Sequence, residues 1–182
     1  MRLLLRRALQ GAGAAGMVIA LSSAPVSAGV GTRLANGDGN TSGTCMSIVN
    51  AGRGTSVEME PCTTNAHQGW ELVREPHLGG VQILSQDIDA GGRCLTAHGQ
   101  GVRVTMDRCV SRSTHPGLYA QQVWGPVTIS GSWQQLLNYA FVPAGLQCLD
   151  VRDNGTSNVV QTWLCGPITG PNIKGNQLWK LW

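Results

Sequence analysis

One pattern of spaced residues occurs three times in this chain, which restricts it to folds that arrange three near-equal units about one core. The units open with Cys45-Met46-Ser47-Ile48, Cys94-Leu95-Thr96-Ala97 and Cys148-Leu149-Asp150-Val151, and each has a second cysteine, Cys62, Cys109 or Cys165. Five residues before that second cysteine stands Val57, Val104 or Val160, and three before it Met59, Met106 or Thr162. Each unit closes on Gln68-Gly69-Trp70, Gln122-Val123-Trp124 or Gln177-Leu178-Trp179, and 24 positions separate Trp70 from Cys94 and Trp124 from Cys148. Internal repeats near 50 residues indicate pseudo-symmetric assembly.

Only a bond within the unit recurs identically three times, so the repeat pairs Cys45 with Cys62, Cys94 with Cys109 and Cys148 with Cys165. Each such disulfide closes a short loop, worth about 3 kcal/mol by the chain-entropy account. That matters for a chain with only one Phe and two Tyr to fill its interior. Between the cysteines the apolar runs are short, and Asn36-Gly37-Asp38-Gly39-Asn40, Ala90-Gly91-Gly92 and Asp153-Asn154-Gly155-Thr156 punctuate them as turns. No long stretch keeps a helical period. Short strands with regular turn signals predict an all-β sandwich or barrel.

Residues 1–28 begin with Arg2, Arg6 and Arg7, continue through an Ala-, Gly- and Leu-rich stretch and end in Val26-Ser27-Ala28, the signature of a secretory signal peptide cleaved before Gly29. Arg6-Arg7 leaves open twin-arginine export beside the general secretory route. The apolar run is too short and glycine-rich to span a membrane well. The leader holds three of the 13 Lys and Arg and none of the 10 Asp and Glu, which leaves ten of each sign in the mature chain. A neutral domain lacks the basic stripe that nucleic acid calls for. Export also favours disulfides for the six cysteines over a zinc site, and no Cys-x-x-Cys or paired-His spacing is present.

Taken together, the paired cysteines, the Cys-Leu-Asp-Val-like openings and the Gln-x-Trp closures resemble the ricin B-type lectin family. The likeness covers nearly all of the mature chain, from about Thr41 to Trp182. It implies a β-trefoil, six hairpins of which half form a short barrel and half cap it. It places a linker at 29–40 and a lectin domain at 41–182, with repeats near 41–80, 81–134 and 135–182. Few Lys beside many Arg, Gly and Ala suggest a bacterial member.

The three units are not equivalent. Strand alternation puts Val57 and Met59, Val104 and Met106, and Val160 and Thr162 on one face. The opposite, solvent-facing side carries Glu58 and Glu60, then Thr105 and Asp107, but in the third unit Gln161 and Trp163. An indole on an otherwise polar face asks for a functional explanation. A sugar supplies one, because a pyranose has an apolar C–H face that lies on an aromatic ring and hydroxyls that need polar partners. Asp150 stands where the other units have Ser47 and Thr96, and a carboxylate accepts hydrogen bonds from two neighbouring hydroxyls. Asn176, replacing His67 and Gln121, adds an amide. The resemblance makes Asp150, Trp163, Asn176 and Gln177 carbohydrate-binding candidates, with Val151, Arg152 and Asn154 as neighbours, and it implies galactose-like sugars or xylan and arabinan chains. The first and second units, lacking this set, are expected to be silent or altered.

No Gly-x-Ser-x-Gly, His-Glu-x-x-His or phosphate-binding glycine loop is present, so no catalytic role, metal or cofactor is expected. His67, His77, His98 and His115 read as solvated loop residues. The competing reading is a trefoil that binds a protein, such as a protease inhibitor, through the segment 124–138 around Trp133.

Overall fold

The computed structural model describes residues 31–49, 56–87, 92–170 and 172–182, and the leader expected at 1–28 lies outside them. Among the described residues the chain forms twelve antiparallel strands: β1 (Leu34–Asn36), β2 (Thr44–Ile48), β3 (Val57–Pro61), β4 (Trp70–Arg74), β5 (Val81–Ser85), β6 (Arg93–Thr96), β7 (Thr105–Arg108), β8 (Val123–Ser130), β9 (Trp133–Asn138), β10 (Gln147–Val151), β11 (Val160–Leu164) and β12 (Trp179–Leu181). One short helix, α1 (Pro116–Gln121), precedes β8.

Six strands close a ring. β4 pairs with β5, β5 with β8, β8 with β9, β9 with β12 and β12 with β1, and the bridge Thr32–Trp70 joins β1 back to β4. The other six form three hairpins, β2–β3, β6–β7 and β10–β11, which cap one end and touch through bridges Ser56–Thr105, Glu58–Val159 and Arg103–Gln161. This is a β-trefoil, four strands to a repeat, with one disulfide in each: Cys45–Cys62, Cys94–Cys109 and Cys148–Cys165. Three disulfides suit an oxidising compartment. Among the described residues no helix is long and apolar enough to cross a membrane.

The valines and methionines before each second cysteine face inward, and Val57, Met59, Val104, Met106 and Val160 all belong to the core. Trp70, Trp124 and Trp179 are fully buried at the barrel end of each repeat. Their indole N–H groups donate to the carbonyls of Met46, Leu95 and Leu149 at 3.0, 3.0 and 2.9 Å, each the residue after the first cysteine. The paired glutamines grip the second cysteine from both sides. The Oε1 atoms of Gln68, Gln122 and Gln177 accept from the backbone N–H of Thr63, Val110 and Gly166, while their Nε2 groups donate to the carbonyls of Pro61, Arg108 and Leu164. Buried amides are thus satisfied by the same partners in every repeat.

One expectation changes. Within the segment read as a linker at 29–40, Leu34 is fully buried and β1 pairs with both β12 and β2, so the barrel includes residues 34–36. The apolar signal there is one leucine in a three-residue strand, too short to show alternation. The segment 124–138 forms β8 and β9, which pair along it and turn at Gly131-Ser132. The repeat boundaries accordingly fall between β4 and β5 and between β8 and β9.

Removing a buried indole and its hydrogen bond should be costly. Trp124→Ala is expected to lose about 3–5 kcal/mol of stability, read as a lower urea midpoint at unchanged slope.

Candidate functional site

The third cap hairpin places its residues by register. Asp150 on β10 lies opposite Gln161 on β11, and Cys148 opposite Trp163. Around them opens a cleft of 440 Å³ lined by Asp150, Arg152, Asn154, Gln161, Trp163 and Asn176, with Gly101, Asp153 and Lys174 completing the rim. Trp163 is 38% exposed and Asp150 only 2%. The structure therefore brings together a solvent-facing indole and a nearly covered carboxylate.

That carboxylate is held by three amides. Its Oδ1 accepts from Gln161 Nε2 at 2.9 Å, and its Oδ2 accepts from Asn176 Nδ2 at 2.8 Å and Gln177 Nε2 at 3.1 Å. A carboxylate offers about four acceptor positions, so Oδ1, with one bond, keeps acceptor capacity in a residue that lines the cleft. Asn176 spends its remaining amide hydrogen on the Val151 carbonyl, which leaves its Oδ1 as a second acceptor. Arg152 completes the chain of contacts, donating from Nε to Gln161 Oε1 at 3.0 Å and from Nη2 to the Gly101 carbonyl at 3.1 Å. A network satisfied on every side holds its members rigid.

Of the seven residues expected here, Asp150, Trp163, Asn176, Arg152 and Asn154 line the cleft. Gln177 sits behind it, fully buried, orienting Asp150 while it clamps Cys165. Val151 does not reach the cleft with its side chain, which strand alternation turns into the core. Gln161 was expected to meet solvent on the outward face and is instead covered, because the outward position there looks onto Asp150 and Arg152.

Sequence reasoning within one repeat missed Gly101, Asp153 and Lys174. Gly101 arrives from the second repeat, where its N–H donates to the Thr162 carbonyl at 2.7 Å. A Cβ there would stand 2.9 Å from Trp163 Cζ3, and the residue has φ +74°, so only glycine lets the backbone approach the ring edge. Asp153 and Asn154 both have left-handed φ, 56° and 52°. Asp and Asn tolerate that conformation better than most residues, and the Asp-Asn-Gly run is a signal that could have marked this rim.

At the equivalent positions of the other repeats the polar side chains bond one another, and the first repeat keeps a smaller cleft of 200 Å³ lined by Ser47, Glu60 and His67. Ser47 Oγ donates to Glu60 Oε2 at 2.5 Å, and His67 Nδ1 lies 2.7 Å from Asp87 Oδ2. In the second repeat Thr96 is fully buried and accepts from Gln122, while Thr105 Oγ1 donates to Asp107 and also lies within reach of His98 Nε2. Neither place sets an exposed indole beside a carboxylate.

Burial pushes the Asp150 carboxyl above its ordinary 3.8, while the bonds from Gln161 and Gln177, the Lys174 ammonium and the bond from Asn176 pull the other way. A raised carboxyl value means that ionisation works against folding: the contribution is complete below the unfolded value and is lost as pH climbs through the folded one. Asp150→Asn does not titrate. The stability of the wild type minus that of Asp150→Asn should therefore fall as pH rises above the ordinary carboxyl value of 3.8, followed by urea denaturation at each pH.

No protein-family model matches the chain. No curated protein matches it. Among solved structures it is similar to ThreeFoil, a designed 3-fold symmetric protein, with a TM-score of 0.63 and 18% identity over 82% of this chain and 96% of that one. It is similar to the Macrolepiota procera ricin B-like lectin solved in complex with lactose, with a TM-score of 0.57 and 17% identity over 84% and 94%. It also resembles 29% of the exo-β-1,3-galactanase of Clostridium thermocellum, with a TM-score of 0.60, 20% identity and 82% of this chain covered. These likenesses establish a trefoil fold shared with ricin B-like lectins.

Proposed function

We propose that this trefoil is a secreted, non-catalytic carbohydrate-binding domain whose third repeat takes one pyranose. The observation that carries the reading is the half-open Trp163 ring beside the buried, amide-held Asp150 in one cleft. An aromatic ring receives the C–H face of a sugar, and a water-poor carboxylate accepts its hydroxyl protons by charge-assisted bonds about twice as strong as neutral ones. Asn176 Oδ1 and Lys174 add an acceptor and a donor at the rim, so neighbouring hydroxyls find partners without rearrangement of the wall. Fixed groups of this kind lower the ordering cost of binding. The residues 1–28 supply export, and the disulfides suit an extracellular setting.

The ligand class includes galactose-like sugars and the arabinose or xylose units of polysaccharides. One shallow site corresponds to millimolar affinity, about −4 kcal/mol. The trefoil solved with lactose supports a sugar ligand for this fold.

Asp150→Ala would cost stability as well as binding, because it strands three buried amide donors at about 1–3 kcal/mol each. Trp163→Ala removes an exposed ring and is the cleaner variant. It should weaken retention on the matrix that holds the wild type at least tenfold while Tm moves by no more than about 2 °C. Gly101→Ala, which crowds the ring without touching a polar group, should weaken retention as well. Full retention by Trp163→Ala on every matrix that holds the wild type would remove the third-repeat site.

A further inference from the structure

The six tryptophans fall into two sets. Trp70, Trp124 and Trp179 are buried and donate their indole N–H to backbone carbonyls in all three repeats. Trp133, Trp163 and Trp182 have no hydrogen-bond partner for that group among the described residues, and Trp182 is 64% exposed. Scaffold accounts for the first set and not for the second. Trp163 belongs to the cleft described above, while Trp133 and Trp182 line another, of 330 Å³, on the barrel wall.

The register of three neighbouring strands builds this second cleft. Trp133 on β9 lies opposite Lys180 on β12, which lies opposite Ala35 on β1, so the three side chains stand in one row on the outer face. Trp182, two residues beyond Lys180, shares that face, and backbone bonds in both directions with Arg33, at 2.7 and 3.2 Å, fix its position. Ala35 leaves the middle of the row low. Gly37 lets the Trp133 ring lie close, since a Cβ there would stand 3.1 Å from Trp133 Cζ3.

Polar groups with spare capacity face the same space. Among the described residues Lys180 has no ion pair or side-chain hydrogen bond, nor does the Ser42 hydroxyl, and Asp38 uses only Oδ1, on the Asn40 N–H at 2.9 Å. The lining therefore combines two indoles with a cationic donor, a hydroxyl and a carboxylate, and Ala35 is its sole aliphatic side chain. A lipid chain would want aliphatic walls. The balanced charges favour a neutral ligand with an apolar face and many hydroxyls.

We infer that this barrel-wall cleft is a second glycan site, binding a neutral pyranosyl unit against Trp133 and Trp182. It lies outside the cap hairpins and thus outside the three repeat-equivalent positions. The two clefts adjoin through Asp38, whose side chain packs where a Cβ on Gly155 or Gly175 would stand, directly behind the Asn154 and Asn176 rim. A polysaccharide engaging both would gain avidity without any new contact. The inference carries the sugar reading to a separate place, so the two can fail separately.

The test follows the indole N–H resonances in 15N-labelled mature protein, wild type and Trp163→Ala, titrated with galactose, xylotetraose and arabinotetraose. Trp133 and Trp182 should shift in both proteins with at least one probe, while Trp70, Trp124 and Trp179 stay still. Trp182→Ala should remove the Trp133 shift and weaken retention on the matching polymer roughly ten- to a hundredfold. Shifts confined to Trp163 would overturn this inference and leave the third-repeat site standing. Shifts at Trp133 and Trp182 with Trp163 unmoved would do the reverse. Resonances of Trp133 and Trp182 that move with protein concentration alone, and not with sugar, would assign the cleft to self-association and overturn it. Silence at all three indoles with every probe would overturn both.

Discussion

The architecture depends on one repeated clamp. In each unit a tryptophan indole bonds the strand that leaves the first cysteine, and the glutamine two residues before it bonds the backbone on both sides of the second. Disulfide, indole and amide thus fix the same hairpin from three directions. A chain with a single phenylalanine has little aromatic bulk elsewhere, and the core that remains is mostly Met, Val, Leu and Ile gathered around the three indoles. Because the clamp acts through backbone atoms, it does not dictate which side chains the hairpin turns outward.

That freedom explains why three equal frames carry unequal surfaces. The second hydrogen of the clamp amide finds Thr96 Oγ1 in one repeat and Asp150 Oδ2 in another. In the third repeat a structural glutamine has become a support for a carboxylate, with Gln161 and Asn176 added on either side. Burying an acid costs stability unless it is hydrogen-bonded, and three amides offset that cost without neutralising the charge. Burial still outweighs those bonds, and the carboxyl holds its proton more tightly than a free one. Asp150 is thus tied into the fold of its hairpin, whereas Trp163 contributes ring surface and little to the core.

Much of this could be read in the sequence because the signals were periodic. Cysteine pairing, the inward valines and methionines and the outward Trp163 all follow from comparing three copies at fixed offsets. Gln161 escaped because alternation tells which side of a strand a residue takes and not what lies over that side. Gly101 and Lys174 escaped because they come from outside the hairpin, one from another repeat and one from the loop before the closing motif. The strand at Leu34 is three residues long and pairs with the far end of the chain, a contact no local pattern encodes. The row Trp133, Lys180, Ala35 is likewise a product of register between distant strands.

Gly101 has one more implication, for anyone who would transplant the third-repeat cleft. Its carbonyl anchors Arg152, and its bare α-carbon borders Trp163, yet it lies some fifty positions upstream in another unit. A graft of residues 135–182 onto a foreign trefoil would carry the acid, the ring and the amides and still lack one side of the recess. Residues 99–103 would have to travel with it as a second insert, so the smallest transferable module is a discontinuous pair of segments and not a repeat.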